Sequence, residues 1–152
     1  MNDKLVEAWN SVVGTNDTVF HLGDFAFGNE EMVKAIRTRL NGLIILIRGN
    51  HDRSGISAIR CGMEPRTRMT LQRNTKTISL IHNPRKFNQE EIDSSDILLH
   101  GHLHGHPHYD GLPPTVVDKL FDVGVDSTRV LRPITFDEIF TRKQQRENSV
   151  SH

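Results

Sequence analysis

Apolar positions along this chain alternate between helical and strand spacing, and that alternation predicts its order of elements. Leu5, Trp9, Val12 and Val13 fall on one face of a helix that Asn2 or Asp3 can cap and Gly14 can end. Val19-Phe20-His21-Leu22 reads as a short strand stopping at Gly23-Asp24. Asn29 is suited to cap a second helix, Glu30 and Glu31 suit its first turn, and Met32, Ile36 and Leu40 recur every four residues. Asn41-Gly42 ends it. Residues 43–47 form a continuous apolar run, as expected of a strand covered on both faces, and stop at Arg48-Gly49-Asn50-His51-Asp52.

Residues 54–75 are less regular and hold one candidate strand, Met69-Thr70-Leu71. Residues 77–81 predict another strand, ending at His82-Asn83-Pro84, and residues 88–92 a short helical turn. Residues 96–99 predict a strand that ends at His100-Gly101-His102. Gly111-Leu112-Pro113-Pro114 marks a loop. Residues 120–125 predict a late strand, residues 137–146 a final helix, and the polar tail 147–152 is expected to fray. No repeat or linker divides the chain, so residues 1–152 read as a single domain with a core over about 3–140.

Four of the predicted strands end in a Gly- or Pro-containing turn with a polar residue able to bind metal: Asp24, Asn50, His82 and His102. Each alone reads as an ordinary turn or strand-end residue. Together they follow one rule, because ligand sites in open α/β sheets lie at the carboxyl ends of strands.

Composition narrows the partners. Lys and Arg together number 19, as do Asp and Glu, which argues against a membrane surface or bulk nucleic acid as an electrostatic partner. A phosphorylated substrate held through a metal remains compatible, because the metal supplies charge locally. The single cysteine, Cys61, cannot form an internal disulfide and points to a reducing, cytoplasmic setting. No apolar run approaches transmembrane length, and the N-terminus opens into a helical pattern rather than a signal peptide. The compositional outlier is histidine, with nine in all.

The ordered blocks Gly23-Asp24, Gly49-Asn50-His51-Asp52, His82 and Gly101-His102-Leu103-His104 resemble the later signature motifs of the calcineurin-like metallophosphoesterases. The second and fourth blocks are the specific ones. Residues 19–28, 45–52, 123–126 and 133–139 also resemble small bacterial and phage members, and the resemblance spans about residues 3–140. It implies an α/β sandwich of two mixed β-sheets flanked by helices, and divalent-metal-dependent hydrolysis of phosphate esters by a metal-bound hydroxide. In that family's pattern Asp24 bridges two metals, Asn50, His82 and His102 complete one site, and His104 belongs to the other. His51 is implied as the catalytic residue that assists the leaving oxygen. The mixed nitrogen and oxygen donors suit manganese, with iron or zinc as alternatives, at one or two ions per chain. The implied substrates are phosphorylated small molecules, nucleotides or nucleic-acid ends, acted on as a phosphodiesterase or phosphatase.

Two features depart from the family pattern. The opening Asp-x-His motif occurs nowhere in the chain, so the first strand is expected to be missing and one metal site to be short of ligands. Another chain could cover the gap in an oligomer. Phe27 stands where many relatives carry an acidic residue or Asn, and Asp52 is a candidate substitute. These departures keep a second reading open: a catalytically degenerate or truncated relative that binds one metal or a partner protein. A stand-alone histidine-rich metal binder is a third reading, opposed by the ordered Asp24 and Asn50 blocks.

The remaining candidates carry less chemistry. His100, His106 and His108 alternate with His102 and His104 but are expected at the loop or rim, and His21 near the core. Arg66, Arg68, Arg73 and Lys76 are expected on a solvated face. Arg48, beside a ligand turn, is a weaker candidate for a phosphate contact. Asp126 reads as structural, and Cys61 lacks catalytic neighbours.

Overall fold

A computed structural model describes residues 2–25, 29–49, 55–103 and 108–150. The apolar run predicted as a doubly covered strand is β2 (Leu43–Ile47), the centre of a three-stranded parallel sheet. β1 (Thr18–His21) pairs on one side and β3 (Glu64–Arg66) on the other. A second sheet runs β4 (Arg68–Arg73), β5 (Lys76–Ile81), β6 (Ile97–His100), β7 (Leu120–Asp122). β4 and β5 form an antiparallel hairpin, while β5–β6 and β6–β7 are parallel. The hairpin turns on Asn74 and Thr75, both at positive φ (50° and 67°), as a two-residue turn matched to strand twist requires.

Strand alternation builds the layers. Ile45 and Ile47 of β2 point between the sheets, where they join Leu22, Ile78, Leu80, Leu99, Phe121 and Ile139. Ile44 and Leu46 point outward to α1 (Asn2–Val12), α2 (Glu30–Arg39) and α3 (Gly55–Arg60) through Val6, Val33, Ala58 and neighbours. The outer face of the second sheet packs Ile81, Leu98 and Leu120 against Phe87 and Val116, the latter in α5 (Pro114–Val117). α4 (Gln89–Ser94) follows the turn that contains Phe87. α6 (Val125–Thr128) leads on toward α7 (Phe136–Val150), whose Ile139 reaches the inner core. Among the described residues no helix is long and apolar enough to cross a membrane. The architecture is the expected two-sheet α/β sandwich, and among the described residues β1 is an edge strand paired only with β2.

The predicted cap of α2 is present, α4 carries a cap that was not predicted, and Asp3, a candidate cap for α1, lies inside that helix. The Asn29 side chain accepts the Met32 N–H at 2.9 Å, and Asn88 forms a reciprocal capping box with Glu91 at the start of α4.

Several expectations need correction. α1 buries Val6 and half-buries Leu5 and Trp9, with Val13 buried just past its end, and it leaves Val12 exposed. α2 buries Val33 and half-buries Ile36, its C-cap Leu40 is buried, and Met32 is 54% exposed. Both sets follow helical spacing and keep the predicted Trp9, Val13, Ile36 and Leu40; Val6 and Val33 take the packed positions expected of Val12 and Met32. The irregular middle holds α3 and β3. β3 escaped notice because it is three residues long and contains Pro65, which suits an edge position. Strand β7 stops at Asp122, and Val125 instead opens α6. Helix α7 continues to Val150, through most of the tail expected to fray.

Candidate metal centre

The carboxyl ends of strands from both sheets meet at one point. The turn after β1 carries Asp24, the turn after β2 begins at Gly49, His82 follows β5, and His102 follows β6. Asp24, His82 and His102 each present a ligand atom, and these atoms lie within 4.8 Å of one another. His82 Nε2 is 3.1 Å from His102 Nδ1 and 3.4 Å from Asp24 Oδ2. The His82 and Asp24 side chains are only 6% and 8% exposed, so a cation here would be largely shielded from solvent.

Hydrogen bonding selects which atom His82 can offer. Its Nδ1 lies 2.7 Å from the Leu22 carbonyl oxygen, which only accepts, so Nδ1–H donates. In the neutral ring Nε2 therefore keeps its lone pair and faces Asp24 and His102. A ligating histidine with its other nitrogen donating to a backbone carbonyl is the usual arrangement at metal sites.

Close backbone approach builds the turn. A Cβ on Gly49 would lie 2.8 Å from both the Asp24 nitrogen and His82 Cε1, and one on Gly23 would lie 2.8 Å from the Gly49 nitrogen. Gly23 is also at φ +102°. Asp24 and His102 are themselves left-handed, at φ +53° and +73°. Such conformations cost on the order of 1–3 kcal/mol each for ordinary residues and concentrate where surrounding structure holds a functional side chain in place.

The donor set fits a first-row divalent cation. Two donors each about 2.1 Å from a shared ion lie about 3.0 Å apart at a right angle and about 3.4 Å apart at a tetrahedral angle. The observed 3.1 and 3.4 Å fall in that span. Two imidazole nitrogens with one carboxylate suit zinc, iron or manganese and do not suit calcium, which takes oxygen donors.

Of the six predicted site residues, the structure brings Asp24, His82 and His102 together. Asn50, His51 and His104 lie outside the described residues, as do Phe27, Asp52 and His106. His21 behaves as expected: its Nδ1 accepts the Gly23 N–H at 3.3 Å, and its ring meets Phe25 edge-on. Arg66, Arg68, Arg73 and Lys76 are exposed. Arg48 is half-buried, with no hydrogen-bond partner for its buried Nε among the described residues.

His100 is the clear correction. It was expected at the rim but is fully buried at the end of β6. Its Nδ1 is 2.8 Å from the Gly101 carbonyl, and its Nε2 is 2.7 Å from the Tyr109 hydroxyl. Burial pushes the imidazole below its ordinary pKa, and burial likewise pushes the Tyr109 phenol up to about 12. The available signal was strand alternation: His100 is two residues after buried Leu98, on the face that packs Tyr109 and Leu112. Asp122 was also missed. It is buried opposite His100 in the β6–β7 register and accepts from the Gly124 N–H and the Ser127 hydroxyl.

Comparison with known proteins places these features in a family. Residues 2–117 match the calcineurin-like phosphoesterase superfamily domain. The uncharacterized protein MJ1445 of Methanocaldococcus jannaschii is 34% identical over 115 residues, covering 74% of this chain. The match spans 58% of that curated relative's length. Among solved structures, the protein of unknown function AQ665 from Aquifex aeolicus aligns with a TM-score of 0.68 at 24% identity, covering 92% of this chain and 83% of its own. An archaeal phosphodiesterase aligns with a TM-score of 0.50 at 19% identity, covering 81% of this chain and 74% of its own. These two share the fold. With the family's domain matched over most of its length, the chain belongs to the calcineurin-like phosphoesterase superfamily.

Proposed function

We propose that this protein hydrolyses phosphate esters with divalent metal ions held at the carboxyl ends of its strands. The observation that carries the reading is the convergence of Asp24, His82 and His102 from two different sheets onto one point. Asp24, His82 and His102 would hold the ion, joined by Asn50 and, at a second ion, His104, as the family motif assigns them. Bound divalent ions supply Lewis acidity and an activated water nucleophile at neutral pH.

The chain's own residues do the rest. The Leu22 carbonyl fixes the His82 ring so that Nε2 faces the centre. The left-handed turns at Asp24 and His102 aim their side chains at it. His51, next to ligand Asn50, supports the departing oxygen by proton donation or charge stabilisation. Manganese is the first choice of metal, and phosphodiesters and phosphomonoesters of nucleotides or nucleic-acid ends are the substrate class.

A second reading rests on β1, which pairs only with β2 among the described residues. An edge strand of this kind can accept another strand, so a partner or second copy could pair there, with the fold serving as a one-metal binding module.

The test loads the protein with Mn²⁺, counts bound metal, and measures hydrolysis of bis-p-nitrophenyl phosphate and p-nitrophenyl phosphate. Asp24→Asn, His51→Ala and His102→Ala should each abolish most of the turnover. Hydrolysis unchanged in these variants would sink the catalytic assignment. One bound metal with no hydrolysis over a broad phosphoester panel would favour the binding module.

A further inference from the structure

Four hydrogen bonds link the chain just after His82 to the chain just before His102. Arg85, in the single 3₁₀ turn Pro84–Lys86, donates Nη1–H to the Asp110 carbonyl at 3.0 Å and Nη2–H to the His108 carbonyl at 2.8 Å. Those carbonyls flank Tyr109 on either side. The Tyr109 hydroxyl is 2.7 Å from His100 Nε2, and His100 Nδ1 is 2.8 Å from the Gly101 carbonyl.

The direction of each bond follows from the acceptors. A backbone carbonyl cannot donate, so His100 Nδ1 carries the proton. The neutral ring then has only a lone pair at Nε2, and the Tyr109 O–H must donate to it. The phenol's upward pKa shift keeps it protonated and so able to donate.

The far end of the relay is the peptide that sets His102. The Gly101 carbonyl accepts from His100 Nδ1 and also from the Leu103 N–H at 2.9 Å, while the Gly101 N–H donates to the His82 carbonyl at 3.1 Å. Gly101 is thus held on both sides, and the next residue, His102, sits at φ +73°. A conformation that an ordinary residue disfavours needs such outside support.

We propose that His100, Tyr109 and Arg85 are positioning residues that hold the Gly101–His102 turn in its metal-binding conformation. None touches the candidate cation position; they act through the Gly101 peptide. The inference rests on the proposed metal centre for its functional consequence and on the backbone geometry for the brace itself.

The test uses Tyr109→Phe, which removes one O–H from a half-buried ring, together with Arg85→Ala and the double variant. Mn²⁺ affinity is measured by calorimetry on folded, full-length protein, and amide hydrogen exchange at Gly101 and Leu103 is measured without metal. Tyr109→Phe should weaken Mn²⁺ binding by about tenfold, as loss of outer supporting contacts does elsewhere. It should also speed exchange at Gly101 and Leu103. Because Arg85 acts through Tyr109, the double variant should lose little more than Tyr109→Phe alone. Affinity within twofold of the unmodified protein, or single losses that simply multiply, would overturn the positioning role. An unmodified protein that binds no Mn²⁺ would instead overturn the metal-centre reading. The brace is then decided by exchange: faster in Tyr109→Phe upholds it, unchanged refutes it.

Discussion

The His82 ring and the Leu22 carbonyl join the two sheets at the candidate centre, with Nδ1 2.7 Å from the carbonyl oxygen. Leu22 follows β1 of the parallel sheet, and His82 follows β5 of the mixed one. Both residues are buried. His82→Ala leaves that carbonyl without its ring partner, so it should destabilise the metal-free protein by about 1–3 kcal/mol. Urea denaturation in EDTA measures this. Equal stability would mean that the ring matters only as a metal ligand.

Gly49 has no room for a side chain. Its Cβ would fall 2.8 Å from the Asp24 nitrogen and from His82 Cε1, both parts of the candidate centre. Gly49→Ala must therefore push Asp24 and His82 apart. The expected cost is about 1–3 kcal/mol from overpacking, with a loss of Mn²⁺ uptake that exceeds the loss of fold. Circular dichroism and bound-metal analysis on the same sample separate the two effects.

Metal should stabilise the fold by mass action. At a free Mn²⁺ concentration about a hundredfold above its dissociation constant, the gain is about 2.7 kcal/mol. The melting temperature should rise on loading and return on adding EDTA. Asp24→Asn, which removes the buried carboxylate charge, should show a much smaller rise. A rise of the same size in Asp24→Asn would place the binding elsewhere.

Tyr109 is the only tyrosine in the chain, so phenolate absorbance reports on it alone. Burial raises its pKa to about 12, above the unfolded value of 10.0. The folded state therefore binds the proton more tightly than the unfolded state. This contribution to stability is full below pH 10 and is lost as pH rises from 10 through about 12. At pH 10.5 the folded protein should show little phenolate, and the urea-unfolded protein more than half. A folded midpoint near 10 would contradict the burial of the phenol.

Much of the fold was legible because burial imposes periodicity. The unbroken run at 43–47 could only be satisfied in the middle of a covered sheet, and β2 is there. Asn29 was readable as a cap because its side chain satisfies a free N–H group, a local effect that needs no tertiary context. β3 was invisible because three residues with a proline carry no readable period, and only pairing with β2 makes them a strand.

The candidate site divides in the same way. The residue types and their place at strand ends are sequence properties: a polar residue in a Gly- or Pro-containing turn after an apolar run can be read without coordinates, and this singled out Asp24, His82 and His102. Distance cannot be read that way. His82 lies 60 residues from its hydrogen-bond partner Leu22, and only the packing of one sheet on the other brings them together. Positive φ at Asp24 and His102 is likewise set by surrounding contacts, since neither residue type demands it. His100 shows the limit most plainly. In sequence it is one of five alternating histidines between 100 and 108, but its burial depends on what covers the second sheet, and its hydrogen bonding on Tyr109, nine residues further along the chain. Chemistry and periodicity belong to the chain because they are local. Convergence, burial and strain belong to the tertiary structure because each depends on residues far away in sequence.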